Sequence, residues 1–213
     1  MNIVVVVPGG LTEMLQAAPL VGSLSGSTGE PLMIAGPPGA AQLRAGLPGV
    51  HQFVAVRGLT ARPGAAALGR LWTALRGRRI DVAVVCNETA AVRAAVYMSG
   101  VPRRIGVAVG LSDGLLTDRV HGSRDGNRAG DWLGLAGPLG IAAVPSGVEF
   151  VPDMDSTRSA EQLLLGSRVG DGRLLVAIAP GQGFAEATVA PCAWRARAIA
   201  PPIPPEAPVT RAF

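Results

Sequence analysis

The sequence contains no lysine, so all 19 of its basic residues are arginines. This absence excludes a Walker-type phosphate loop, which needs a lysine, and it excludes a lysine that forms a Schiff base or acts as a general base. Aromatic residues make up only 4% of the chain, and the net charge is a mild +4. The arginines occur singly or in pairs without interleaved aromatic residues, which disfavours nucleic acid as a partner.

Cysteine and histidine are equally scarce. Cys86 and Cys192 lie far apart in the chain, and His51 and His121 are isolated. Neither a disulfide framework nor the ligand spacing of a metal site is present in this pattern. The sequence therefore predicts no metal and no cofactor, and the unpaired cysteines fit the reducing cytoplasm.

Long hydrophobic runs are also missing. The apolar start at residues 1–7 is interrupted by Pro8-Gly9-Gly10, and it is far shorter than the roughly 20 residues of a membrane-spanning helix. We expect neither a signal peptide nor a transmembrane segment. With 48% hydrophobic and 16% charged residues, the chain has the composition of a compact domain.

Short β-branched runs alternate with segments of helical length that are rich in alanine, leucine and arginine. This alternation is typical of βαβ units, and it predicts a five-stranded parallel sheet within residues 1–108. The predicted strands are residues 2–7, 32–35, 51–56, 80–85 and 104–108. The predicted helices between them are residues 11–23, weakened by Pro19, and residues 39–45, 64–75 and 89–99.

Beyond residue 108 the pattern becomes weaker. Residues 110–130 are rich in Gly, Asp, Ser and Arg and show no periodicity, which predicts a mobile loop. Short helices are predicted at residues 131–139 and 156–165, and strands at residues 148–151 and 174–179. The density of proline after Pro191 is incompatible with a helix or a central strand, so residues 191–213 are predicted to be extended or disordered.

Four stretches, in order along the chain, resemble the family 9 glycosyltransferases of the heptosyltransferase type. Leu11-Thr12-Glu13 followed by Pro19 is similar to the family's S-x-L-G-D start with its later proline. Residues 75–84 and 100–106 are similar to L-R-x-x-x-Y-D-L-V-I and G-A-x-x-R-I-G. Residues 131–141 resemble the helix before the interdomain linker, and residues 176–183 resemble the P-G-x-G turn that opens the second domain.

This resemblance implies a Rossmann-like α/β domain, the N-terminal half of a GT-B fold. In that architecture the first domain binds mainly the acceptor, and the second mainly an ADP-linked heptose. Residues 1–168 would form the acceptor-side domain, residues 169–190 the start of a truncated donor-side domain, and residues 191–213 a proline-rich tail. The family's D-x-G-x-x-H donor motif has no counterpart here, so we expect this chain to be inactive alone.

The function implied by the resemblance is inverting transfer of a sugar from a nucleotide-diphosphate sugar, similar to ADP-heptose, to a saccharide or glycolipid acceptor in lipopolysaccharide biosynthesis. Two alternatives remain open. One is a non-catalytic Rossmann-like binding module. The other is a frame-shifted fragment without a function, because an Ala-, Pro- and Arg-rich tail is what a GC-rich gene yields out of frame.

Glu13 occupies the position at which the resemblance implies a catalytic base. A carboxylate in the first turn of a helix that follows the first strand faces the cleft that open α/β sheets use for ligands. The alternative is that Glu13 only stabilises the start of its helix. The chain departs from the family here, because Glu13 is one methylene longer than the family's aspartate and Thr12 replaces a glycine.

The remaining candidates are binding residues, and each has a plain alternative. The glycines after the first strand either allow a ligand to approach the backbone or simply form a tight turn. Asn87, at the end of the fourth strand, either contacts substrate or caps the following helix. Arginines bind acceptor phosphates or carboxylates or remain solvated, and Arg57 and Arg62 belong to this class. The candidates for substrate binding are Gly9, Gly10, Thr12, Asn87, Arg103 and Arg104, and those for the donor phosphate are Gly181 and Gly183.

Overall fold

A computed structural model describes residues 1–29, 32–47, 49–122, 127–142 and 154–166 of the chain. The chain divides into two units, Met1–Asp153 and Met154–Phe213. The described part of the second unit is the helix α5 (Met154–Gly166), which agrees with the helix predicted at residues 156–165.

In the residues that the structure describes, the first unit contains one parallel sheet of six strands in the order β3-β2-β1-β4-β5-β6. The chain starts in the middle of the sheet, builds towards one edge, and then crosses β1 to build towards the other. The parallel arrangement predicted for the first five strands is confirmed. The strands are β1 (Ile3–Val6), β2 (Leu32–Gly36), β3 (Val50–Ala55), β4 (Val82–Val85), β5 (Arg103–Ala108) and β6 (Asp118–His121).

Helices cover both faces of this sheet. The α-helices are α1 (Leu11–Thr28), α2 (Ala65–Leu75), α3 (Ala90–Met98) and α4 (Arg128–Leu133). Within the described residues of this unit, 3₁₀ helices span Pro38–Gly46, Leu111–Leu115 and Gly134–Leu139. Among the helices that the structure describes, not one has both the length and the apolar character needed to cross a membrane.

The central strands are buried on both faces. In β1, Ile3 and Val5 pack on one side with α1 and α4, whereas Val4 and Val6 pack on the other side with α2 and α3. Successive side chains of a strand point to opposite faces, so a strand covered by helices on both sides must be apolar throughout. This explains why the wholly apolar run of β4 was a reliable strand signal.

The prediction of a mobile loop at residues 110–130 is wrong. The chain there forms the 3₁₀ helix Leu111–Leu115, the edge strand β6 and the start of α4. The strand β6 is only four residues long, and its residues are half-buried or exposed, so no apolar run marks it in the sequence. Pairing with β5 and the Arg103–Asp118 ion pair hold it in place.

The first helix is longer than predicted. It continues through Pro19 to Thr28 and ends at Gly29, which has a left-handed φ of 62°. The hydroxyls of Ser23 and Thr28 donate to the carbonyls of Pro19 and Leu24, four residues earlier in the same helix. Serine and threonine usually disfavour helix interiors, but here their side chains hydrogen-bond to the helix backbone. Burial of its apolar face outweighs weak intrinsic propensity.

Several predictions lie outside the described residues. These are the strands at residues 148–151 and 174–179 and the extended tail at residues 191–213.

The helix predicted at residues 131–139 begins earlier, at Arg128, and continues as a 3₁₀ helix to Leu139.

Candidate functional site

The candidate site lies at the carboxyl edge of the sheet, between β1 and β4. The strand order reverses direction there, and open α/β sheets bind their ligands in the crevice at such a point. A cavity of about 270 Å³ opens among the turns that follow β1, β3 and β4 and the start of α4. Its lining residues are Pro8, Glu13, Ala61, Arg62, Cys86, Asn87, Glu88, Thr89, Arg128 and Trp132.

A second cavity, of about 330 Å³, lies at the opposite, amino edge of the sheet. It is larger and is lined partly by His51, Arg78 and Arg79. No carboxylate lines it, and it lies away from the carboxyl edge at which open α/β sheets bind their ligands. We therefore assign the candidate site to the smaller cavity.

Glu13 is the carboxylate that the fold places most specifically in this cavity. The side chain is half-buried, and its Oε2 atom accepts a hydrogen bond of 2.8 Å from the backbone N–H of Gly10. Within the described part of the chain, the second oxygen, Oε1, makes no hydrogen bond. One oxygen is thus anchored to the start of the helix, while the other is available to a ligand.

The turn before Glu13 contains three of the predicted binding residues. Gly9 has a φ of 137°, which favours glycine, and its N–H donates to the carbonyl of Leu59 at 3.0 Å. Gly10 caps α1, and Thr12 is an exposed residue of its first turn. None of Gly9, Gly10 and Thr12 is among the cavity-lining residues. The two glycines shape the turn that holds Glu13.

Asn87 does line the cavity, but its side chain is already engaged. Its Oδ1 atom accepts from the N–H of Thr89 at 2.7 Å at the start of α3, and its Nδ2 atom donates to the carbonyl of Ala61 at 3.3 Å. The Thr89 hydroxyl donates to the same carbonyl at 3.2 Å. These bonds fix the segment that carries Arg62 against the end of β4, so Asn87 organises the rim of the cavity.

Arg62, Arg128 and Glu88 surround the cavity with exposed charges. Neither arginine makes an ion pair or hydrogen bond with another residue in the described ranges. The sequence analysis considered Arg62 only as one of several surface arginines. It did not consider Arg128, which fell in the predicted loop, or the buried Trp132, which fell in a predicted helix. A tryptophan is rare in this chain, and that rarity was the one available signal.

Arg103 and Arg104, predicted to bind the acceptor, lie at the amino end of β5, at the sheet edge opposite the cavity. Arg103 pairs with Asp118 through two bonds of 3.0 and 2.9 Å and donates to the carbonyl of Pro138. Arg104 donates to the carbonyls of Leu115, Val101 and Pro102 and lies over the ring of Tyr97. The fold does not bring these two arginines to the candidate site, and their interactions are those of structural residues.

The turn after β5 also places a carboxylate, that of Asp113, against backbone N–H groups at the start of a helix, but this carboxylate is paired with an arginine. Asp113 accepts from the N–H groups of Val109 and Gly110, and the buried Arg93 contacts it at 2.6 Å. These backbone N–H groups, together with Arg93, hold the pKa of Asp113 below its usual range. A carboxylate stabilised in this way is a poor proton acceptor, so Glu13 is the better placed of the two acids.

Gly181 and Gly183, predicted to bind the donor phosphate, lie outside the described residues. Across the described ranges, no group of three or more His, Cys, Asp or Glu side chains has the arrangement to hold a metal ion. Cys86 lines the bottom of the cavity but is fully buried, and burial raises the pKa of its thiol far above the usual range.

Solved structures of glycosyltransferases share this fold. A glycosyl transferase family 9 protein from Veillonella parvula DSM 2008 matches with a TM-score of 0.69 and 14% identity, over 84% of this chain and 54% of that one. E. coli ADP-heptose lps heptosyltransferase II matches with a TM-score of 0.61 and 16% identity, over 81% and 52%. E. coli heptosyltransferase WaaC with ADP-2-deoxy-2-fluoro heptose matches with a TM-score of 0.58 and 15% identity, over 70% and 51%.

No protein-family model matches the chain, and no curated protein matches it either. The likeness to the solved structures establishes the fold, a Rossmann-like α/β sheet shared with family 9 glycosyltransferases and heptosyltransferases. The similarity that the sequence motifs indicated is confirmed at this level. The chain spans about half the length of the solved structures that it matches.

Proposed function

We propose that this chain is the acceptor-side half of an inverting, heptosyltransferase-like glycosyltransferase. The observation that carries the proposal is the cavity at the strand-order reversal, with a half-buried carboxylate that has one anchored and one available oxygen. The shared fold supports the reaction class. In this role Glu13 is the catalytic base, and the cavity between β1 and β4 receives the acceptor sugar.

Glu13 performs the proton transfer of the reaction. An acceptor hydroxyl hydrogen-bonded to Oε1 loses its proton to the carboxylate as its oxygen attacks the anomeric carbon of the donor. The bond from the anomeric carbon to the nucleotide diphosphate breaks, and the diphosphate leaves with the electron pair. The new glycosidic bond forms on the opposite face of the sugar, which inverts the configuration.

Arg62 and Arg128 indicate the chemical class of the acceptor. A guanidinium binds phosphate or carboxylate groups through two parallel hydrogen bonds, and these two arginines lie at the mouth of the cavity. An anionic saccharide would place its charged group on the arginines and its hydroxyl at Glu13. We therefore propose a phosphorylated or carboxylated saccharide, presented on a glycolipid in lipopolysaccharide biosynthesis in the cytoplasm.

The donor, a nucleotide-diphosphate sugar similar to ADP-heptose, would bind mainly to a second domain. We propose that residues 1–168 are the acceptor-side domain and that these 213 residues alone do not turn over, because the chain spans about half of its structural relatives. The corresponding second half of such a relative, supplied separately, would complete the cleft.

The test combines this chain with the separately produced second half of the Veillonella protein and measures transfer from ADP-heptose to anionic sugars. Glu13→Gln should reduce the rate by roughly 10²- to 10⁴-fold, the usual range for loss of a general base. The glutamine carbonyl can still accept the Gly10 N–H, so the variant should keep the start of α1 and fold like the wild type. Its unchanged folding is the control that attributes lost transfer to the lost base. Wild-type transfer by this variant would remove Glu13 from the mechanism.

A non-catalytic binding module is the second candidate, because the strand order is also that of dinucleotide-binding domains. The turn after β1 argues against a pyrophosphate ligand. In the alignment of Gly10 with the second glycine of G-x-G-x-x-G, Glu13 occupies the third glycine position, and its carboxylate would repel the phosphates. Calorimetric titration with NAD and ADP decides this, since tight binding without transfer would favour the binding module.

A further inference from the structure

We propose that Gly9 is a positioning residue for Glu13, because the missing side chain at position 9 provides the space in which the Glu13 carboxylate lies. The inference rests on the proposed function for its catalytic meaning. Its structural content, the placement of the carboxylate by Gly9, is measurable without any transfer assay.

The geometry around Gly9 leaves no room for a Cβ atom. Such an atom would lie 2.6 Å from both Cδ and Cγ of Glu13 and 2.8 Å from Oε2. These distances are well inside the contact distance of about 3.5–4.0 Å between carbon atoms. The end of a glutamate side chain is flexible, so the carboxylate would move before the backbone did.

Movement of the carboxylate would break the contact that defines its position. Oε2 is held by the N–H of Gly10 at 2.8 Å, and this bond directs the side chain back over Gly9. A displaced carboxylate loses this anchor and the fixed orientation of Oε1. Gly9 therefore acts on the reaction through Glu13 and not through substrate.

The chain contains a matched control at Gly110. Its φ of 133° is close to the 137° of Gly9, so an alanine at either position suffers the same kind of backbone strain. A Cβ atom at Gly110 would meet nothing within 4 Å. Like Gly9, it lies in a turn whose N–H groups bond to an acid at the start of a helix. Gly110→Ala therefore measures the cost of an unfavourable φ without a steric contact, and Gly9→Ala adds the contact with Glu13.

The experiment measures hydrogen exchange of the Gly10 amide and thermal unfolding in Gly9→Ala, Gly110→Ala, Glu13→Ala and the double variant Gly9→Ala with Glu13→Ala. In Gly9→Ala and in Glu13→Ala, the Gly10 amide should exchange about 10- to 100-fold faster than in the wild type, as expected for loss of a bond to a charged group. Gly110→Ala should leave this amide protected.

Thermal unfolding supplies the second readout. Gly9→Ala should lower the unfolding midpoint more in the wild-type background than in the Glu13→Ala background. In the Glu13→Ala background the glutamate side chain is absent, so the new Cβ atom at position 9 has nothing there to clash with. An equal loss in both backgrounds, or a Gly10 amide that remains protected in Gly9→Ala, overturns the inference. These outcomes are independent of transfer, whereas wild-type transfer by Glu13→Gln would contradict only the proposed function.

Discussion

The ion pair of Arg93 and Asp113 provides the sharpest test of how the turn after β5 is held. The Arg93 side chain has no exposed surface, and it donates to the carbonyl of Val107 at 2.5 Å, to the hydroxyl of Ser112 at 2.9 Å and to Asp113 at 2.6 Å. Arg93→Met keeps most of the packing and removes the charge. The buried Val107 carbonyl loses this donor, which should cost about 1–3 kcal/mol.

Asp113→Asn should be the more damaging substitution, although Asp113 is the more exposed partner. It leaves a buried guanidinium without its countercharge, whereas Arg93→Met removes the buried charge together with its desolvation cost. Urea unfolding at pH 7, followed by circular dichroism, gives both free energies. If Arg93→Met destabilises the protein as much as Asp113→Asn or more, the asymmetry argument fails and Arg93 contributes mainly through packing.

The pH dependence provides a second check of the same pair. The pKa of Asp113 is lowered in the folded state, so its contribution to stability is present above its unfolded pKa of about 3.9 and is lost as the pH falls through the folded value. The difference in unfolding free energy between wild type and Asp113→Asn should therefore shrink as the pH is lowered below about 4. A difference that stays constant to pH 2 would show that the carboxylate charge is not involved.

Two further predictions concern the edge strand and the bottom of the cavity. Asp118→Asn should lower the free energy of unfolding by less than about 1 kcal/mol at pH 7, because the ion pair of Asp118 with Arg103 is partly exposed. In 1 M NaCl the loss should be smaller still. A larger loss in urea unfolding that does not depend on salt would contradict this. Cys86, in a Cys192→Ser background, should resist alkylation by iodoacetamide in the folded protein and react promptly in urea, because its thiol is buried with a raised pKa. Rapid labelling of the folded chain would show that the thiol is accessible to reagent through the cavity and would contradict this.

The central part of the fold was predictable because its signals are local. Strands buried on both faces must be apolar throughout, and β1 and β4 are continuous apolar runs. Glu13, in the first turn of the helix after β1, and Asn87, just after β4, were candidates from the sequence, and both line the cavity between these strands, although their role in function stays a prediction. The strand β6 was missed, because an edge strand of four mixed residues is held by its neighbour and by the Arg103–Asp118 pair.

The lining of the cavity was only partly predictable, for a related reason. Arg128 and Trp132 reach it from α4, which packs against α1 across more than a hundred residues of sequence. Conversely, Arg103 and Arg104 matched a family motif, yet they lie at the other edge of the sheet. A motif fixes which strand a residue begins, and the direction of that strand decides which edge the residue occupies.

The two acidic turns show why local pattern alone does not identify a functional carboxylate. Gly10-Leu11-Thr12-Glu13 and Gly110-Leu111-Ser112-Asp113 have the same pattern, and in both turns the acid accepts a backbone N–H at the start of a helix. The second acid also receives Arg93, which is 20 positions earlier and buried in α3, whereas the first borders an open cavity. The same local rule therefore produces one acid held by an ion pair and one with a free oxygen, and only the tertiary neighbours decide which acid is available for chemistry.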